Sequence, residues 1–417
     1  MRGSALCPRA GESPVTTITA HVPLLGGTYD IAIDGPTIAS VTPSQQTTDL
    51  CVGPTLFDIQ VNGYAGRTCR IPSPDKRDAL AWIARLMRER GVGWWLPTIT
   101  TGSGAAMEAA FAHCARALDE DPDTASSIPG LHLEGPYISP VEGPRGAHQL
   151  EHVRPPDWDE FQRFQEASGG RIVLATIAPE EDGSVPFIEK CIASGVAVAM
   201  GHTNLDRDSL RAAVDAGATL STHLGNGAHD QVQRHNNYLW YQLACRQTYA
   251  SFIADGQHLP QECLYSMIHA KGLDRSILVS DTVLLGGMKP GVYKVRDRQI
   301  EMLPSGRIVI PGTPNLAGSG SNLRECVENA IALAGLSHAQ AWQLGTLNPA
   351  RLLGLDDRLG VEPGKEASLT VYRYADGGDS PAIDVAETWV AGRKVFDAAT
   401  TERAALPDTP PDAAMPI

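Results

Sequence analysis

Hydrophobic and polar positions follow three textures along the chain. Residues 16–25 (TTITAHVPLL) and 29–44 (YDIAIDGPTIASVTPS) are short β-type alternations around glycine-containing turns, which predicts a hairpin-rich β unit. Residues 366–374 (EASLTVYRY) and 387–397 (ETWVAGRKVFD) repeat that texture near the other end, so one small sheet built from both chain ends is expected. Between them, short β-type runs alternate with helical stretches, the rhythm of βα units on a parallel sheet. The candidate strands are TLFDIQVN, WWLPTIT, IPGLHLEG, RIVLATIAP, GVAVAMGH, ATLSTHL, ASFIADG and SILVSDT. Segments such as RDALAWIARLMRER, GAAMEAAFAHCARAL, DSLRAAVDAGA and LPQECLYSMIHAKG separate them with helical periodicity.

Eight such runs close a (β/α)8 barrel. No shorter internal repeat is present, which argues against a solenoid. The expected fold class is therefore α/β: a (β/α)8 TIM-type barrel over residues 53–358, with a small β-sandwich domain from residues 16–52 and 359–402. Residues 1–15 and 403–417 are rich in Pro, Ala and polar residues without periodicity, and are expected to be flexible ends that carry no chemistry.

Composition narrows the function classes. Of the 417 residues 42% are hydrophobic and 20% charged, enough to build a large core and to exclude wholesale disorder. The formal net charge is −14 and no Lys/Arg run offers a phosphate-neutralising stripe, which excludes nucleic acid and anionic membrane as expected partners. No apolar stretch approaches the ~20 residues of a spanning helix. The start, MRGSALCPRAGESP, lacks the apolar core of a secretory signal, so a cytoplasmic protein is expected. The eight cysteines are widely scattered, fitting neither a disulfide framework nor a thiolate zinc site, and are expected to be reduced and mostly buried.

Candidate chemistry lies at the strand ends, which carry Gln60, Asn62, Glu134, His202, His223, Asp255 and Asp281. The C-terminal strand ends of such a barrel line its active-site mouth, so polar and titratable residues gathered there read as catalytic. A carboxylate and two imidazoles, Glu134, His202 and His223, are a reasonable ligand set for Zn2+ or a similar divalent ion, with a position left for water. Any single histidine could instead be a hydrogen-bonded core or loop residue. As a set, with His202 in AMGHTN and His223 in LSTHLGN each following an apolar strand, they favour the metal reading. Asp281, which closes ILVSD, could take a proton from a metal-activated water and deliver it to a leaving nitrogen; a loop or N-cap aspartate is the alternative.

With these motifs in view, the sequence resembles the N-acetylglucosamine-6-phosphate deacetylase family of the amidohydrolase superfamily over nearly its whole length. The matching segments are PTLFDIQVNGYAG (54–66), PTITT (97–101), GLHLEGPYIS (130–139), GHTN (201–204), THLGNG (222–227), IADGQH (253–258), LVSDT (278–282), LAGS (316–319) and NPARLLGLDDRLGVEPGKEASLTVY (348–372). The resemblance implies that Glu134, His202 and His223 bind the metal and that Asp281 is general base and acid. Many amidohydrolases carry a His-x-His pair on the first barrel strand that supports a second metal. Here the pair reads Gln60-Val61-Asn62, and neutral amides are weak zinc ligands, so one metal is expected: Zn2+, with Fe2+, Mn2+ or Co2+ able to take the same site. Gln60 and Asn62 then bond to loop backbone or to substrate.

By the same resemblance His148, in RGAHQ, and His258, in ADGQH, contact the substrate amide and sugar, and His148 helps hold the oxyanion. Asn226 and Gly227 match a turn whose backbone N–H groups meet a sugar phosphate. Arg234 falls where the family has a phosphate-binding arginine from the neighbouring subunit, which implies a homodimer. The departures lie at this substrate end: Gly225-Asn226-Gly227-Ala228 replaces the usual bulky residue and Asn-Ala-Met, and Gln233-Arg234-His235-Asn236-Asn237 replaces His-Arg-Glu-Pro-Gly. Residues 142–161 also differ from the family's short Lys-Gly-Ala-His stretch. The match is thus more specific for fold and metal chemistry than for substrate.

The expected function is metal-dependent removal of acetate from a small-molecule N-acetylated amino sugar, first of all N-acetylglucosamine 6-phosphate. The same centre acting on another N-acyl compound, such as an N-acyl amino acid or a biosynthetic intermediate, is the enzymatic alternative. A binding barrel that has lost catalysis is the non-enzymatic one, disfavoured by the presence of Glu134, His202, His223 and Asp281.

Overall fold

Eight parallel strands stand side by side in chain order: Leu56–Val61, Val92–Thr100, Leu131–Glu134, Ile172–Ile177, Ala197–Met200, Leu220–Ser221, Tyr249–Ile253 and Ser276–Val279. Each overlaps one of the eight expected runs. This computed structural model describes residues 15–70, 79–295, 298–312, 316–376 and 380–408. The expected flexible N-terminus, apart from Val15, and residues 409–417 of the tail lie outside the described residues.

The strands read as near-continuous apolar runs because both faces are covered. Phe57, Ile59, Trp94, Leu96, Leu174, Ala199, Leu220, Ile253, Ile277 and Val279 fill one apolar cluster inside the barrel. Leu56, Trp95, Ile99, Leu131, Leu133 and Ile177 belong to the cluster shared with the helices outside. Buried polar groups cross this pattern. His132 is wholly enclosed, with Nδ1 at 3.1 Å from Ile59 O and Nε2 at 2.8 Å from Thr176 Oγ1, and burial pushes its pKa down to about 4. Asp58 closes the barrel between its first and last strands: Oδ1 accepts Ser280 N at 3.2 Å and Gln60 N at 3.3 Å. At the mouth, Asn62 N donates to Thr282 O at 2.9 Å and Val61 bridges Thr282 in parallel.

The chain ends form one seven-stranded sheet. Its order is Arg393–Asp397, Ala382–Val390, Leu369–Ala375, Leu50–Pro54, Thr16–Val22, Gly27–Asp34 and Thr37–Pro43. The two halves join where Val52 pairs with Val371. Ile18, Ile31, Val52, Leu369 and Trp389 share one apolar core, so the sheet serves as the small β domain expected from both termini. Trp342, on the helix His338–Leu344, ties it to the barrel by donating from Nε1 to Pro54 O at 3.0 Å and stacking on Tyr372 at 4.3 Å.

Among the described residues two small sheets had no counterpart in the sequence reading: Gly63–Tyr64 pairs with Arg67–Thr68 just past the first barrel strand, and a larger one follows the last. A three-stranded antiparallel sheet, Gly291–Val295, Arg298–Met302 and Ile308–Val309, follows the last barrel strand and packs Leu285, Met288, Tyr293, Met302 and Ile308 into its own small core. Its strands are short and half polar, too weak a pattern to stand out beside the barrel strands. Of residues 403–408, Ala404 donates its N–H to Glu89 Oε1 at 3.1 Å. Among the described cysteines, Cys69, Cys114, Cys191 and Cys326 are buried. Among the described residues no helix is long and apolar enough to cross a membrane.

The closing aspartate carries a pH signature. Burial pushes the Asp58 carboxyl from 3.8 up to about 7, although N–H donors from Ser280 and Gln60 favour its charged form. The folded chain therefore keeps a proton that the unfolded chain releases, and stability present below about pH 4 is lost as pH rises toward about 7. Asp58→Asn keeps the acceptor oxygen and removes this titration. Denaturant unfolding with chelator present should show the variant gaining on wild type across that window, by roughly 1.4 kcal/mol for each pH unit. A pH-independent difference between the two proteins contradicts the assignment.

Candidate active site

Four side chains meet at the C-terminal ends of the barrel strands. Glu134 is the last residue of its strand, while His202, His223 and Asp281 each lie two residues beyond theirs, after Gly201, Thr222 and Ser280. All three of these later residues have left-handed backbone conformations, with φ of 50°, 30° and 48°. A residue with a Cβ loses about 1–2 kcal/mol there, so the surrounding contacts must hold these turns.

The geometry is that of a ligand cluster. His202 Nε2 lies 3.3 Å and His223 Nε2 3.1 Å from the same carboxylate oxygen, Glu134 Oε1, and the two nitrogens are 3.1 Å apart. All the ligand atoms of the three residues lie within 4.8 Å of one another, and all three residues are buried. His202 Nδ1 is 3.0 Å from Pro144 O, which accepts only a donor and so leaves the Nε2 of the neutral ring with a lone pair. A lone-pair nitrogen and a carboxylate oxygen face to face repel unless a proton or cation lies among them. A divalent ion satisfies that arrangement, and a carbonyl fixing the outer imidazole nitrogen is the usual support of a metal-binding histidine.

Electrostatics follow from burial and proximity. Burial alone would raise the Glu134 carboxyl, but hydrogen bonds from His202 and His223, and their positive charge whenever they are protonated, hold it well below the usual carboxylate range. Asp281 goes the other way, raised by burial and then by the negative charge of Glu134. Two carboxylates in one site pushed in opposite directions is the pattern of one ligand and one proton carrier. His148 is held neutral, its pKa depressed by burial and then by His202. Its Nε2 lies 3.2 Å from His202 Nε2, and its Nδ1 is 2.7 Å from Thr101 Oγ1.

The first-strand amides are engaged with the two carboxylates. Gln60 Nε2 donates to Glu134 Oε1 at 2.8 Å and Asn62 Nδ2 donates to Asp281 Oδ1 at 2.7 Å. Gly227 has φ 56°, and a Cβ on it would fall 2.7 Å from His202 Nδ1, so only glycine lets this loop lie against the imidazole. Gly146, on the loop leading to His148, approaches the same Nδ1–Cε1 edge of that ring, where a Cβ would lie 3.2 Å from Cε1 and 4.0 Å from Gly227 Cα. Asn226 uses its backbone N–H in a turn, donating to His223 O at 2.9 Å. His258 is oriented by Asp255, with Nδ1 2.7 Å from Oδ2, while Asp255 Oδ1 accepts the N–H groups of Gln257 and His258 at 2.8 Å each. Arg234 is exposed on the loop between Gly227 and the helix Tyr238–Ala244, its carbonyl accepting Trp240 Nε1 at 3.0 Å.

Three supporting groups had gone without a role in the sequence reading. Asp255 was visible as a strand-end carboxylate, and Thr101 sits at the end of a barrel strand, where position alone could have flagged it. The Pro144 carbonyl carries no side-chain signal.

Comparison with known proteins accords with this geometry. The Amidohydrolase family model matches residues 52–395. The N-acetylgalactosamine-6-phosphate deacetylase of Escherichia coli O157:H7 is 31% identical over 82% of this chain and 86% of its own length. The N-acetylglucosamine-6-phosphate deacetylase of Vibrio furnissii is 30% identical over 84% of each chain. Among solved structures, the N-acetyl-D-glucosamine-6-phosphate deacetylase of Mycobacterium smegmatis, a point mutant in complex with N-acetyl-D-glucosamine-6-phosphate, superposes with a TM-score of 0.80 at 27% identity, over 92% of this chain and 100% of that one.

If the cluster is a metal centre, His202→Ala or His223→Ala removes one of three protein ligands from a site without a redundant donor. Both metal content and activity should then be lost. Full metal occupancy by elemental analysis in His202→Ala would remove that residue from the ligand set.

Proposed function

The chain belongs to the amidohydrolase family, and from that premise we propose that it removes acetate from N-acetylglucosamine 6-phosphate or a close amino-sugar relative. The observation that carries this reading is the meeting of Glu134 Oε1 with Nε2 of His202 and His223, beside buried Asp281. We assign Glu134, His202 and His223 as ligands of one Zn2+; Fe2+, Mn2+ and Co2+ suit the same donors. When bound, the ion supplies Lewis acidity, polarising the amide carbonyl and acidifying a water.

The chain's own groups move the proton and place the substrate. Asp281 takes the proton released as the water oxygen bonds to the carbonyl carbon, then gives it to the nitrogen as the C–N bond breaks, leaving acetate and the free amine. Asn62 holds Asp281 Oδ1 and leaves Oδ2 to carry that proton. With the Thr101 hydroxyl donating to His148 Nδ1, the His148 proton sits on Nε2, where it can donate to the developing oxyanion. His258, steadied by Asp255, contacts the sugar. Gln60 steers the Glu134 carboxylate, and Asn62 also lines the substrate side.

Relatives of similar identity are named for N-acetylglucosamine and for N-acetylgalactosamine 6-phosphate. These sugars share the C2 acetamide and the phosphate, and differ only in configuration at C4. We assign the phosphate to Gly227 and Arg234, since the Asn226 N–H already serves His223. An exposed Arg234 fits an arginine that reaches a neighbour's pocket, and a homodimer is the working form proposed here.

The direct test is acetate release by metal-replete enzyme from both sugars, with and without 6-phosphate, and from N-acetyl amino acids. The phosphorylated glucosamine derivative should give the highest kcat/KM. Release only from N-acetyl amino acids would overturn the sugar assignment. Asp281→Asn should keep the metal yet lose at least ~10²-fold in kcat, the lower end of what a positioned acid/base contributes; near-normal turnover would give the proton to another group. Arg234→Ala should raise KM for the phosphorylated sugar by roughly 10- to 100-fold, the loss of a hydrogen bond to a charged group, and leave the unphosphorylated one nearly unchanged. Equal effects on both would remove Arg234 from the phosphate.

A further inference from the structure

His202 lies in an irregular loop, Gly201 to Leu205, with its backbone at φ 50°, a region that residues bearing a Cβ avoid. Its carbonyl accepts Ser139 N at 2.9 Å, and its ring is fixed by Pro144 O. The residues that follow are fixed from another strand. Glu180, three positions past the end of Ile172–Ile177, accepts the Thr203 hydroxyl at Oε2 and the Asn204 N–H at Oε1. Thr203 Oγ1 in turn accepts Leu205 N at 3.0 Å. One carboxylate and one hydroxyl thus satisfy three successive donors immediately after the histidine. In the sequence Glu180 opens an acidic run, Glu180-Glu181-Asp182, which reads as a solvated charged turn; in the fold its carboxylate closes on the His202 loop.

We propose that Glu180 is a positioning residue of the metal centre: by clamping Thr203 and Asn204 it holds His202 in the left-handed conformation that aims Nε2 at Glu134 Oε1. This rests on reading Glu134, His202 and His223 as metal ligands. Without the clamp the loop is free to leave the left-handed region, and the aligned conformer becomes a fraction of the population. The apparent dissociation constant of the metal rises by the inverse of that fraction. Groups that orient metal ligands typically shift affinity by about 10- to 100-fold, the range expected here.

The test is competition for Zn2+ between the full-length chelator-stripped protein and a chromophoric chelator. Wild type should bind one ion per chain. Glu180→Ala should raise the dissociation constant about 10- to 100-fold. Glu180→Gln, which keeps a carbonyl oxygen for the Asn204 N–H, should recover much of that loss. Thr203→Val, which removes the hydroxyl and leaves Glu180 in place, should weaken binding in the same direction and carries the test if Glu180→Ala fails to fold. The visible spectrum of the Co2+-loaded Glu180→Ala protein should also change, which a residue that only stabilised the fold would not cause. A Zn2+ affinity of Glu180→Ala or, if that variant fails to fold, of Thr203→Val within about twofold of wild type would overturn the positioning role while leaving the metal centre standing. Wild type that binds no Zn2+ would overturn both.

Discussion

The site is organised by one crowded oxygen. Glu134 Oε1 lies 2.8 Å from the Gln60 amide nitrogen and within 3.3 Å of Nε2 on both His202 and His223, in a place closed to solvent. Gathering a carboxylate and lone-pair nitrogens this closely in low dielectric is unfavourable unless positive charge is shared among them. A divalent cation resolves the crowding. The four residues come from the first, third, fifth and sixth barrel strands, so only the closed fold brings them together.

The rest of the molecule serves that convergence at some expense to itself. Three left-handed turns carry His202, His223 and Asp281, and a fully buried Asp58 joins the first strand to the last at a pKa of about 7. Strain and buried charge of this kind persist only where surrounding contacts over-determine them. Here the contacts are visible as the Pro144 carbonyl on His202, the Ser139 N–H on its backbone, Asn62 on Asp281 and glycines 146 and 227 against the imidazole. Asp281 and Glu134 are driven apart in acidity by the same environment, which suits them to the separate roles proposed for them.

How much of this was legible in the sequence depends on the range of each interaction. The eight strands were, because strands buried on both faces write near-continuous apolar runs. Glu134, His202, His223 and Asp281 were, because each sits at or two residues past the end of such a run. The engagement of Gln60 with Glu134 was not, since its partner is 74 residues away, nor was Asp58 with Ser280 at 222 residues. No local pattern marks such pairs. The three-stranded sheet after the last barrel strand stayed hidden for a different reason, its short alternations being half polar. Glu180 was masked by its own neighbours, since an acidic run reads as solvated surface. The departures around residues 225–228 and 142–161 prove to lie together: the Gly146 and Gly227 loops meet at one edge of the His202 ring. Variation there bears on the setting of His202 as well as on the substrate end.

The central claim is that one cation, held by Glu134, His202 and His223, makes this chain a deacetylase. The most direct measurement is acetate release from N-acetylglucosamine 6-phosphate while chelator-stripped enzyme is titrated with Zn2+. Activity should start near zero, rise linearly and break at one equivalent per chain. Full activity before any metal is added, or a break at two equivalents, would contradict it.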